Sequence, residues 1–220
     1  MKRMIAALFL CAALPAAAQT PRMLQAPVWV YLETVPGSLT AEEIAAKLPP
    51  IQEMDETARF ILAGMLYGWN FTYTPSDKTR KVDEFFEMTP IGTIERGDRR
   101  MVLTAVKPEY PRLSAWAEFT LDDSLARWSA YWSSVLFKSA NGRGRGERAA
   151  EAAGIRTAYT DAVRDAVREY ARKLEKNKPK EIRGEVLLRE GARLFADEGR
   201  FVADIRVLVN LQEVVPYRTF

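Results

Sequence analysis

The chain has 220 residues, 48% of them hydrophobic, with 32 lysines and arginines against 29 aspartates and glutamates, no histidine and a single cysteine. Without histidine there is no Ser-His-Asp or Cys-His catalysis and no imidazole ligand for a metal. The near-balance of charge gives no electrostatic reason to expect nucleic acid or an anionic membrane as a partner.

Met1-Lys2-Arg3-Met4 is a short basic start, Ile5 to Leu14 an apolar run, and Pro15-Ala16-Ala17-Ala18 a small-residue stretch before Gln19. This charged, apolar, small order is that of a secretory signal peptide, too short in its apolar part to span a bilayer. Residues 1–18 are therefore read as a cleaved leader, and the chain as exported to the periplasm or beyond. Cleavage removes Lys2, Arg3 and Cys11, leaving 30 basic residues against 29 acidic ones. It also leaves no thiol, which removes disulfides, thiolate zinc sites, iron–sulfur clusters and covalent haem attachment. Cys11 as a lipid-attachment residue is disfavoured, because bulky Leu10 stands where a small residue is needed.

The remaining residues suffice for one large domain or two small ones. Pro27 to Val35 reads as a strand, and Thr40 with Glu43 makes a capping box for a short helix to Leu48. Glu53 to Trp69 predicts a helix, with Met54, Ala58, Ile61, Leu62, Met65 and Leu66 in one stripe and Gly68 at its end. Phe71 and Tyr73 alternate in a strand. Val82 to Met88 fits a helical turn or an edge strand equally well. Ile91 to Ile94 and Arg100 to Val106 read as strands around the turn Arg96-Gly97-Asp98, and Leu113 to Leu121 is extended.

Asp122 or Asp123 caps a helix expected to reach Lys138, with Leu125, Trp128, Trp132 and Val135 on one face. Residues 139–146 (SANGRGRG) read as a flexible basic loop that joins an N-terminal α+β part, 19–138, to a C-terminal part, 147–220. The second part opens with a long helix, roughly Glu147 to Glu175, striped by Ala152, Ile155, Tyr159, Ala162, Val163, Ala166, Val167, Tyr170 and Leu174. Strands follow over Ile182 to Leu188, Arg193 to Ala196 and Arg200 to Leu211. In the last, Phe201, Ala203, Ile205, Val207, Val209 and Leu211 share one face, with Val202 and Leu208 as apolar exceptions on the other. Strands in runs define an α+β class: mainly antiparallel sheet packed by amphipathic helices, arranged as two helix-then-strands units or as a single sheet backed by all the helices.

Carboxylate pairs at Asp55-Glu56, Asp83-Glu84-Glu87, Asp122-Asp123 and Asp197-Glu198 fit helix starts and turns better than a sugar-cleaving pair or a calcium loop. Ser134 and Lys138 are four apart on the expected helix but lack the S-x-x-K spacing of penicillin-binding enzymes. The alternating glycines at 142, 144 and 146 match no phosphate-binding motif. No catalytic residue, metal or cofactor is expected, and no transmembrane helix in the mature chain. The candidate contact residues are Tyr131, off the apolar stripe of its helix, and Arg143 and Arg145 in the basic segment. These features predict a non-enzymatic envelope protein that binds another protein or a cell-wall component. The alternatives are a carboxylate-dependent glycan hydrolase and a carrier of an apolar small molecule.

Overall fold

The computed structural model describes residues 22–34, 37, 40, 42, 47–134, 136–174 and 178–217. The leader, and most of the helix expected over Thr40 to Leu48, lie outside the described residues. Among the described residues, three α-helices and nine strands form an α+β fold with antiparallel sheets. Strand β1 (Met23–Tyr31) precedes helix α1 (Pro50–Leu66), then β2 (Trp69–Thr74), β3 (Phe85–Pro90), β4 (Met101–Glu109) and β5 (Arg112–Thr120). Helix α2 (Asp123–Trp132), β6 (Lys138–Glu147) and helix α3 (Glu151–Leu174) follow, then β7 (Glu181–Leu188), β8 (Arg193–Asp197) and β9 (Arg200–Val215).

The smaller sheet has the order β1-β5-β4, and the larger the order β3-β2-β7-β9-β6, with β8 also paired to β9. Strands from both sides of residues 139–146 thus share the larger sheet. One hydrophobic core runs through both sheets, from Ala26 and Val28 of β1, through α1 and α3, to Ile205 and Val207 of β9. The ambiguous stretch before Met88 resolves as the edge strand β3, while Ile91 to Ile94, expected to be a strand, is irregular. Ile94 nonetheless fills the core, and Gly92 sits so close to the Tyr67 ring that a side chain there would collide with it. Packing on α1 replaces strand pairing in this segment.

Helix α1 stops where Gly68 takes φ +76°, with its N–H on the Ala63 carbonyl at 3.2 Å. A Cβ at Gly68 would also overlap the Val186 carbonyl, so turn and strand contact both require glycine. Helix α2 starts as expected, the Asp122 carboxylate accepting the N–H groups of Ser124 and Leu125 at 2.9 Å each. It ends six residues early, at Trp132. The chain turns back there so that Phe137 packs on Trp132 at 4.5 Å, which also places Lys138 in β6, off the helix on which it was expected to lie.

The basic segment is the main departure from expectation. Residues 139–146 belong to strand β6, paired residue by residue with β9 from Lys138↔Val209 to Glu147↔Arg200. Its glycines face α3. A Cβ on Gly142 would overlap the backbone at Ala162 and Ala166, on Gly144 that at Ala158 and Ala162, and on Gly146 that at Gly154. Glycine therefore permits close contact between strand and helix here, where the sequence suggested freedom of the backbone.

The two elements are commensurate. Four residues of helix rise about 6.0 Å, and two residues of strand span about 6.6 Å. The small residues Gly154, Ala158, Ala162 and Ala166, four apart, run antiparallel to glycines two apart. Along the same line Asp161 accepts the N–H of Arg145, and Asp165 the N–H of Arg143, at 3.0 Å each. The outward N–H groups of an edge strand are thus satisfied by carboxylates of the helix lying over it, which closes that edge to another strand.

A second, smaller cluster covers the other face of the large sheet, where Trp132, Phe137, Leu187 and Leu208 pack together with Trp128 against them. It explains why Leu208 is apolar on the nominally polar face of β9: helix α2 lies there. The Trp128 Nε1–H also donates to the Leu66 carbonyl at 2.9 Å, fastening α2 to the end of α1.

Candidate binding surfaces

Four of the carboxylates singled out by sequence have side-chain or backbone partners. Asp55 and Glu56 meet arginines along α1, Glu84 accepts the Tyr73 hydroxyl at 2.8 Å, and Asp122 caps α2, while Asp197 and Glu198 sit at the β8–β9 turn. Burial and the negative charge of Glu84 hold the Tyr73 hydroxyl far above its ordinary pKa, so it remains a proton donor to that carboxylate. Among the described residues no three Asp, Glu, Cys or His side chains gather as metal ligands. No described helix is long and apolar enough to cross a membrane.

The expected contact residues lie apart. Tyr131 is 50% exposed on α2, edge-on to Phe137 at 5.1 Å. Arg143 lies six residues along from Phe137, about 20 Å at strand rise. It points to the face of β6 opposite its glycines and grips Asp204 of β9 with two hydrogen bonds, Nε to Oδ1 and Nη2 to Oδ2. This pairing holds the Asp204 carboxyl below its usual pKa. Arg145, on the same face, is exposed and makes no side-chain ion pair with a described residue. Arg143 also borders a cavity of about 550 Å³ that opens where β7 and β8 diverge along β9. Arg143, Arg193 and Arg206 there face Asp165, Glu190 and Asp204, so the cavity is polar and balanced in charge.

Two surfaces lie apart from the contact residues Tyr131, Arg143 and Arg145. The first is the outer face of the small sheet. Leu113, Ala115, Ala117 and Phe119 of β5 point into the core, so Trp116 points out, opposite Pro27 of β1 and Thr104 of β4. Trp116 is 44% exposed, and Val102 and Met23 on the same face are 48% and 47% exposed. Strand β4 forms one edge of this sheet, opposite β1. Its far half is guarded by a bulge after Thr104 and by Lys107 and Pro108, but Met101 to Thr104 carries neither charge nor proline. The alternation of β5 was the signal for this surface, since a period of two that buries Ala115 and Ala117 turns Trp116 outward.

The second surface is a groove of about 540 Å³ between α1, α3, β2 and β3. Phe60, Ala63, Trp69 and Met88 line it on the apolar side, and Arg59 and Arg156 on the other. Phe60 and Ala63 fall outside the buried stripe of α1, and two apolar residues off the stripe were the available hint.

Glu53 is a buried carboxylate, 6% exposed, whose Oε1 accepts the N–H of Ala152 at 2.9 Å in the first turn of α3. Desolvation, then repulsion from Glu151, raises its pKa against the opposing pull of Lys47 and of the Ala152 N–H. A carboxyl raised on folding binds protons more tightly in the folded state, so stability falls as pH rises through the window between its unfolded and folded values. Glu53→Gln keeps an oxygen for Ala152 and removes the charge. In urea unfolding between about pH 4 and pH 7 the wild type should lose stability relative to the Gln variant; parallel profiles would show that the charge at Glu53 is not under strain.

A protein-family model matches residues 11–217 of the chain. A protein of Treponema pallidum (strain Nichols), described as an uncharacterized protein, is 36% identical over 194 residues, which is 88% of this chain and 82% of that one. No solved structure matches this chain.

Proposed function

The chain belongs to the family of that model and of the Treponema pallidum protein, and we propose that it is an exported, non-enzymatic envelope protein that binds another protein through the outer face and open edge of its small sheet. The observation that carries this reading is the conjunction of Trp116, Val102 and Met23, each more than two-fifths exposed, with a strand edge at Met101 to Thr104 that no other described strand pairs. An edge offers backbone hydrogen bonds to an extended segment, and a neighbouring aromatic adds apolar contact, the combination used in β-strand addition. The contrast with the other sheet supports the choice, because the β6 edge is closed by Asp161 and Asp165. The Gly-Arg segment, expected to be a route to a partner, is an edge already covered by α3. Export rests on the leader-like residues 1–18, and the non-enzymatic reading on the lack of histidine and the structural roles of the carboxylates.

Photo-crosslinking tests this in the producing cell. A benzoylphenylalanine at position 116 should give a discrete adduct in the envelope fraction, lost with Val102→Asp. The same probe at Arg172, which is 72% exposed on α3, should not give it. The same adducts from both positions, or none from 116, would sink the proposal.

A further inference from the structure

We infer that the groove between α1, α3 and the β2–β3 hairpin is a binding site for a small amphipathic anion, an apolar body carrying one acidic head group. No residue of the groove belongs to the Trp116 face, so this site is separate from the protein contact proposed above. Its volume, about 540 Å³, lies within the range of small-molecule sites. The floor is a set of packed rings, with Phe60 5.6 Å from Trp69 and 5.7 Å from Tyr159. Phe60, Ala63 and Met88 remain only half-buried above it, although each packs against the core. An occupant with an apolar body would remove that area from water.

The rim supplies the head-group specificity. Three guanidinium groups converge on the exposed side of α1: Arg96 and Arg156 reach Glu56 at 2.9 and 3.3 Å, and Arg59 reaches Asp55 at 3.0 Å and Glu56 at 3.8 Å. Three cations thus share two carboxylates, and Arg59 and Arg156 themselves line the groove. Guanidinium groups offer planar, paired N–H donors that suit a carboxylate or phosphate, and among the charged groups that line the groove Arg59 and Arg156 outnumber Glu56. The hydroxyl of Thr160, also on the groove, is a further donor for an oxygen-bearing head, while that of Thr93 is directed at Glu95 Oε1 at 3.4 Å. A cationic amphiphile of the same length would meet the excess positive charge and be disfavoured.

Titration calorimetry of the mature chain with decanoate, and with decyltrimethylammonium as the head-group control, tests the inference. Decanoate should bind with one-to-one stoichiometry and at least tenfold more tightly than the cation. Arg156→Glu should weaken decanoate at least tenfold without weakening the cation. Ala63→Trp, which fills the floor, should weaken decanoate by as much, and Thr160→Trp provides the same block from α3 if the first variant does not fold. Equal affinity for the two head groups, or decanoate binding unchanged in Arg156→Glu and in the folded blocking variant, would overturn it. The Trp116 adduct is indifferent to these substitutions, so failure here leaves the protein-binding reading to its own test.

Discussion

Gly144→Val will destabilise the protein by about 3 kcal/mol, or prevent folding, despite placing a strong strand-former in a strand. The new side chain would have to occupy the space of the Ala158 carbonyl and the Ala162 nitrogen, both of them helix backbone. Rotamer changes cannot relieve such an overlap, so α3 must lift from β6. Lifting it pulls Asp161 and Asp165 away from the N–H groups of Arg145 and Arg143, opens the sheet edge, and loosens the core beneath Ala162 and Ala166. Arg145→Ala, one residue further along and on the opposite face, keeps the backbone N–H and should cost under about 1 kcal/mol. Urea unfolding of both variants checks this. In a flexible loop the valine would be neutral or mildly stabilising, because it restricts the unfolded chain. A Gly144→Val protein as stable as wild type would therefore restore the loop reading of residues 139–146.

The fate of these residues shows what a sequence reveals and what it conceals. Periodicity exposes an element through its side chains. The strand β9 was legible because Phe201 to Leu211 alternates, and α3 because Ile155, Tyr159, Ala162 and Val163 recur at helical steps. From Gly142 to Gly146 the inner face of β6 has no side chains at all. Its signature is a period of two written in glycine, which reads locally as a flexible turn. Only the match to small residues four apart in the next helix gives it away, together with Asp161 and Asp165 at the same spacing. That correspondence is between two segments, so no window along one of them displays it. The Trp116 face was half-visible, since the alternation of β5 fixes which residues point out, but the sheet that leaves them uncovered is a matter of topology. The groove was hidden for the same reason, for Phe60, Met88 and Arg156 come from three elements whose meeting depends on β2 joining β7.

The register of β9 yields the other large effect. Ile205 is 4% exposed and faces the core, while Arg206 points to the opposite side of the sheet, 49% exposed at its side chain. Across the ladder from Ile205 stands Gly142, which contributes no side chain to that face. The space left by shortening Ile205 has no cross-strand neighbour to fill it. Helix α3 cannot settle inward either, since it already rests on the backbone of β6 at Gly142 and Gly144. Ile205→Ala should therefore behave as a cavity that stays open, costing about 4 kcal/mol, toward the upper end of the range for such substitutions. The contacts of Arg206 are long, 3.4 Å to Asn141 Oδ1 and 3.7 Å to Glu190. Pairs of this kind at a surface contribute little, so Arg206→Ala should cost under about 1 kcal/mol. Urea unfolding with an unchanged slope would assign both differences to the folded state. Similar small losses for the two variants would mean that Ile205 does not face the core, and with it the pairing of β9 to the glycines of β6 would have to be redrawn.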